Sequence, residues 1–151
     1  MPKGQHLAAL NKARAQTERG YPKWLLTQDF NHARLAGVRR GHEWSLTREQ
    51  YLDLALSPCR YCGVAPAQAH KYPMAGNTWK RGRREYSIVL VNGIDRTDSA
   101  RGYVAGNVES CCRTCNYAKN DLGLREFCEW MGRIAARALE IARHHYGIAQ
   151  P

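Results

Sequence analysis

The sequence predicts an α+β domain, a small β core flanked by helices, and three observations predict it. The cysteines include two C-x-x-C pairs, Cys59/Cys62 and Cys112/Cys115. One stretch, "YSIVLV" at residues 86–91, has clear strand character and runs into Asn92-Gly93, a hairpin-type turn signal. Near the other end of the chain, Phe127, Met131, Ile134, Ala138 and Ile141 recur at helical spacing.

Each element follows in order. Residues 5–19 are helix-compatible but polar, so residues 1–27 are expected to form a helical or extended arm before a single domain over 28–151. "QDFNHARLAGVRR", residues 28–40, predicts a helix with a loose apolar stripe of Phe30, Ala33, Leu35 and Val38, stopped by Gly41. Thr47 with Gln50 three residues later fits a capping box, predicting a short helix over 48–56 that Pro58 ends. "CRYCG" at 59–63 reads as a tight turn, and 64–85, rich in glycine, proline and basic residues, as a loop. Residues 94–96 are expected to begin a second strand after the Asn92-Gly93 turn. The stretch 99–107 reads as a loop hinged at Gly102 and Gly106. A short helix is expected over 116–122 and, after Gly123, a long one to about residue 145. Its apolar stripe is expected in the core, and Cys128, beside Phe127, as a buried thiol.

At 151 residues, one domain is the default. The charge is less ordinary: 23 Lys and Arg against 13 Asp and Glu give +10, which points to a polyanionic partner, nucleic acid above all. No apolar run approaches the roughly 18 residues of a membrane span. The opening "MPKGQHLAALNKARAQTERG" lacks the apolar core of a signal peptide, so a cytoplasmic location is expected. Thiols stay reduced there, so C-x-x-C pairs suggest metal before disulfides. A tight turn aims two thiolates at one point, and two such knuckles, Cys59/Cys62 and Cys112/Cys115, complete a tetrahedral site for a structural Zn²⁺. Pairing Cys111 with Cys115 is the looser alternative. About 49 residues separate the knuckles, against the 15–20 of a compact ribbon.

The inserted segment gives the reading its direction. In order, the chain shows C-x-Y-C-G, then "GIDRTDS", then Gly102-Tyr103, then Asn107-Val108, then C-x-x-C-N-x-x-K. This succession, with the lead-in "AGVRRGHEWSLTREQY", resembles the HNH nucleases of the ββα-metal superfamily, restriction endonucleases and phage proteins among them. The likeness spans roughly residues 30–127. It implies a treble-clef-like ββα-metal core and hydrolysis of phosphodiester bonds in double-stranded DNA. It also implies a catalytic Mg²⁺ or Mn²⁺ held by Asp95 and Asn116, a suitable hard-oxygen pair. Asn107 would brace the loop between strand and helix. A homodimer fits the same resemblance, and so does the cytoplasm of a bacterial or phage-infected cell. Restriction, homing and phage DNA processing all stay open as roles. Taken singly, Asp95, Asn107 and Asn116 are ordinary turn or cap residues; the ordered constellation gives them roles.

One position departs from the family. Most HNH nucleases have a histidine base after the metal-binding aspartate; here stands Arg96. An arginine side chain keeps its proton, with a pKa above about 12, so it suits a phosphate clamp rather than a base. The base is then sought at His42 first, at Tyr61 second, or in no protein group at all. The run "WKRGRREY" places Lys80, Arg81, Arg83 and Arg84 together. With Arg39 and Arg40 they are the expected phosphate contacts, which position DNA but carry little sequence information. The rival reading is a zinc-stabilised DNA-binding protein without nuclease activity.

Overall fold

A computed structural model describes residues 17–73 and 86–147. In chain order these form β1 (Thr17–Glu18), β2 (Tyr21–Pro22), α1 (Lys23–Arg39), α2 (Arg48–Ala55), β3 (Gln68–Pro73), β4 (Tyr86–Val91), β5 (Gly93–Arg96), β6 (Val108–Cys111), α3 (Arg113–Lys119) and α4 (Leu124–Tyr146). Among the described residues the strands pair as three antiparallel two-stranded sheets: β1 with β2, β3 with β4, β5 with β6.

The core gathers Leu25 and Leu26 of α1, Tyr51, Leu52 and Ala55 of α2, and Val89 and Val91 of β4. β4 earns its place by alternation: Val89 and Val91 are fully buried while Ile88 and Leu90 stay outside. α2 begins as expected. Thr47 Oγ1 accepts from the Gln50 amide, and Gln50 Oε1 accepts from the Thr47 amide, at 3.2 and 2.9 Å.

Several expectations are corrected. The first helix starts at Lys23 rather than 28, because Leu25 and Leu26, placed in the arm, are core residues. Its outer stripe is not core: Leu35 and Val38 are exposed while Phe30 and Ala33 pack inward. Residues 68–73, read as loop, are a strand in register with β4, Gln68 opposite Val91 and Pro73 opposite Tyr86. Its inward side chains, Gln68, His70 and Tyr72, are polar, so hydropathy does not reveal it. Asn92-Gly93 is no hairpin turn. Asn92 is buried, its amide donates to Ala55 O, and its side chain donates to Ser57 O and Val64 O. The chain thus passes straight from one sheet into the next, and β5 pairs with β6.

The third helix covers Arg113–Lys119, earlier than 116–122, because Cys112 is its N-cap and accepts from the Cys115 amide. The long helix agrees in extent, but its stripe is not core. Phe127 alone is buried there, while Ile134 and Ile141 are half exposed. Cys128 is exposed as well, not the buried thiol expected. No helix among the described residues is long and apolar enough to cross a membrane.

Candidate metal centre and cleft

Two loops bring the thiols together. In the first, Gly63 donates to Cys59 O and adopts φ +75°, a left-handed turn that glycine accepts without strain. Cys59 N donates to Val64 O, and Arg60 N reaches Ser110 O, which ties this turn to β6. The second knuckle is the start of α3. The Sγ atoms of Cys59, Cys62, Cys112 and Cys115 lie within 4.8 Å of one another. The Cys62–Cys112 pair stands 3.7 Å apart, close to the roughly 3.8 Å edge of a tetrahedron with metal–sulfur bonds of about 2.3 Å. Cys111 is buried next to this set but is not part of it, its thiol turned to the Cys112 carbonyl.

Beside this cluster lies a cleft of about 640 Å³, lined among others by Arg40, His42, Gln68, Asp95, Arg96 and Asn116. Asp95 is nearly buried. Its Oδ2 accepts from Tyr61 Oη at 2.6 Å, and Lys119 Nζ sits 3.3 Å from Oδ1 and 3.2 Å from Oδ2. Lys119 is wholly buried, and its remaining contact is Arg96 O at 2.9 Å. An ionised carboxylate offers about four lone-pair sites; among the described residues one stays free on Oδ1. Burial first, then Asp95, pushes the Tyr61 phenol well up, so it holds its proton. Phe127 packs edge-on against Tyr61 at 5.1 Å and stacks on Trp130. That contact docks α4 at the site.

Arg96 is clamped from the loop side. Its Nη1 donates to Ser99 O at 2.7 Å and Arg101 O at 3.0 Å and lies 3.2 Å from His42 Nδ1. Its guanidinium also covers the Tyr103 ring, whose hydroxyl accepts from Arg40. The two Nη1 hydrogens go to the Ser99 and Arg101 carbonyls and an arginine nitrogen cannot accept, so His42 Nδ1 faces it unprotonated and the neutral ring carries its proton on Nε2. Desolvation, then Arg96 and Arg40, hold the His42 pKa below its ordinary 6.5. Asn107 is buried and bridges the 97–107 loop. Its side chain accepts from Thr97 Oγ1 and the Asp98 amide and donates to Asp98 O and Gly102 O. That loop joins β5 to β6 rather than strand to helix. Gly102 permits its closure, since a Cβ there would stand 2.5 Å from Glu43 O. Asn116 is exposed on α3 and lines the cleft near Gly93. Arg39 and Arg40 end α1 on the surface, Arg40 at the cleft rim. Lys80, Arg81, Arg83 and Arg84 lie outside the described residues.

Sequence reasoning missed two side chains here. Lys119 was in view as the last letter of C-x-x-C-N-x-x-K. The motif places it on α3 but gives no sign of its burial, since Asn116, three residues earlier, is exposed. Gln68 sat in a segment read as loop and carried no signal.

No family model matches the chain. An uncharacterised protein, R423, of Acanthamoeba polyphaga mimivirus is 26% identical over 95 residues, which is 63% of this chain but 14% of the viral protein. A solved structure of the rare-cutting HNH restriction endonuclease PacI is similar at a TM-score of 0.48 and 23% identity, covering 91% of each chain.

Proposed function

We propose that this chain is a divalent-metal-dependent DNA endonuclease of the HNH type, a single domain with a structural Zn²⁺ on its four clustered cysteines. One observation carries the reading: Asp95, Arg96, His42 and Asn116 line one cleft, directly beside a cluster of four thiols. The thiol set and its spacing suit zinc, which favours four sulfur ligands in a closed tetrahedral site. Asp95 and Asn116 offer hard oxygens in the same cleft, and the free lone pair on Asp95 Oδ1 suits a single bond to Mg²⁺ or Mn²⁺. Such an ion would neutralise the scissile phosphate and acidify a bound water.

The chain's own residues do the rest. Tyr61 and Lys119 hold the Asp95 carboxylate from the protein side and leave its open edge toward the cleft. Arg96, with a second nitrogen face beyond its clamped Nη1, stabilises charge that builds on the phosphate. Arg40 and the basic run at 80–84 hold the flanking phosphates. His42 is the proposed base. For that role its Nδ1 must exchange the Arg96 contact for water. Tyr61 is a positioning donor instead, because its phenol stays protonated. A homodimer and a cytoplasmic site of action belong to the same proposal.

The test is digestion of plasmid DNA with purified protein in Mg²⁺, in Mn²⁺ and in EDTA. Metal-dependent cutting is expected. Salt-sensitive binding without cutting under any divalent ion would favour the DNA-binding scaffold.

Two further outcomes are expected. Replacing Lys80, Arg81, Arg83 and Arg84 with glutamine should weaken DNA binding and flatten its salt dependence by about 0.9 per lost phosphate contact. An unchanged slope in the folded variant assigns that run to solvent. The second concerns pH. A base must be neutral to accept a proton, so activity that depends on His42 persists above its pKa and falls as pH drops through it. Since that pKa is held below 6.5, the acid limb of kcat/KM should lie below 6.5. Arg40→Gln removes one of the cations that depress it and should move the limb upward. A limb that survives unchanged in His42→Ala rules His42 out as the base.

A further inference from the structure

The inward face of β3 leads to a carboxylate that the proposed chemistry leaves unused. Asp29, on α1, has no exposed side-chain surface. It accepts from Tyr51 Oη at 2.6 Å, Tyr72 Oη at 2.7 Å and His70 Nδ1 at 2.6 Å. Burial alone would raise its pKa, but these three donors outweigh it and hold the group ionised below its ordinary range. Asp29 can therefore only accept, and His70 must keep a proton on Nδ1. The other ring nitrogen, Nε2, lies 2.7 Å from Gln68 Nε2. Two nitrogens this close need one donor and one acceptor. An amide nitrogen only donates, so Gln68 donates and His70 Nε2 accepts.

The consequence falls on Gln68. One of its two N–H groups is spent on His70, and one N–H and the carbonyl oxygen remain. Gln68 pairs with Val91, two residues before β5 begins, and it lines the cleft with Asp95 and Arg96. Asp29 already has its three donors, and His70 and Tyr72 alone pin β3 to α1. What the relay adds is a fixed orientation for a neutral amide in a wall that also carries the cations Arg40, Arg96 and Arg113 and the exposed amides Asn116 and Asn120. Cations suffice for phosphate. A held amide with one donor and one acceptor instead matches the N7 and N6–H edge of adenine in the major groove.

We infer that Gln68 is a base-reading residue that takes an adenine edge, with Asp29 and His70 as its positioning pair. The inference rests on the proposed binding of duplex DNA. It does not need cleavage.

The test separates the two. Random-sequence duplexes are bound without added Mg²⁺ or Mn²⁺, which prevents cutting and leaves the structural zinc in place, and the bound fraction is sequenced for the parent, Gln68→Ala and His70→Ala. Melting temperature and zinc content check that each variant is folded. The parent should enrich adenine at one or more positions. Gln68→Ala should lose about tenfold of that preference at one position, within the range of a bidentate base contact, with the salt slope unchanged. His70→Ala should relax the same position. Three results overturn the inference: an unchanged base profile in Gln68→Ala, a uniform loss of affinity without change of profile, or a parent that binds with no base preference. Plasmid cutting by the parent is read separately. A parent that cuts while its profile ignores Gln68 sinks this inference alone, and a parent that neither binds nor cuts sinks both.

Discussion

Cys112→Ser is expected to give zinc-free protein that is insoluble or unfolded, while Cys111→Ala remains folded and metal-loaded. The two cysteines are neighbours in sequence, but only Cys112 belongs to the set of four convergent thiols. Cys112 belongs to the four-thiol cluster and also caps α3. Its loss removes a ligand and loosens the start of the helix that carries Asn116 and Lys119. Structural zinc contributes roughly 10 kcal/mol or more of folding free energy in small metal-dependent domains, which is comparable to the whole stability of an ordinary domain. Cys111 is buried at the end of β6 with its thiol on a backbone carbonyl. Alanine is the cleaner replacement there, because a buried serine adds a hydroxyl that needs a partner. Elemental analysis should find one zinc per chain in the parent and in Cys111→Ala. Equal loss of zinc in both variants would show that the wrong pair was chosen.

Why these cysteines were legible in sequence, and other parts were not, has a physical explanation. A knuckle is local: two thiols three positions apart on a turn converge whatever the rest of the chain does. The capping box at Thr47 and the extent of α4 are local in the same sense. β3 was invisible because its inward face consists of Gln68, His70 and Tyr72, and its burial is made tolerable by Asp29, 41 and 43 residues before the His70 and Tyr72 that meet it. Asn92-Gly93 misled for a related reason. The Asn92 side chain is anchored by carbonyls at Ser57 and Val64, which no local turn rule anticipates. The α4 stripe shows the limit of periodicity. Spacing identifies an apolar face but not what it packs against, and beyond Phe127 that face meets little of the described chain. In the cleft, motif order picked out Asp95 and Asn116. It gave no sign that Lys119 would be buried on Asp95, because a lysine near a helix C-terminus ordinarily reads as a solvated charge.

Asp95→Asn combined with Lys119→Met is expected to abolish metal-dependent cleavage in a protein that still folds, holds zinc and binds DNA. The simple alanine variant at Asp95 is a poor test. Lys119 has no exposed surface, and the Asp95 carboxylate is its charge partner. Asp95→Ala would strand a buried ammonium on one carbonyl, Arg96 O. Breaking a buried pair from one side costs about 3–5 kcal/mol. Lost cleavage would then report unfolding as readily as lost chemistry. The double variant removes both charges together, and its asparagine keeps an oxygen for the Tyr61 hydroxyl. Cleavage should fall at least about a hundredfold, as expected when a group that organises transition-state charge is removed. Titration calorimetry with Mn²⁺ should also lose the site that the parent shows. Asn116→Ala, on the exposed side of α3, should keep its fold and lose less, with partial recovery at high metal, since a neutral oxygen ligand contributes less than a carboxylate. The decisive comparison is between a folded, zinc-loaded double variant and its parent in Mg²⁺. If both cut plasmid at the same rate, Asp95 does not hold the catalytic ion, and the order of motifs from Tyr61 to Lys119 has pointed to the wrong chemistry.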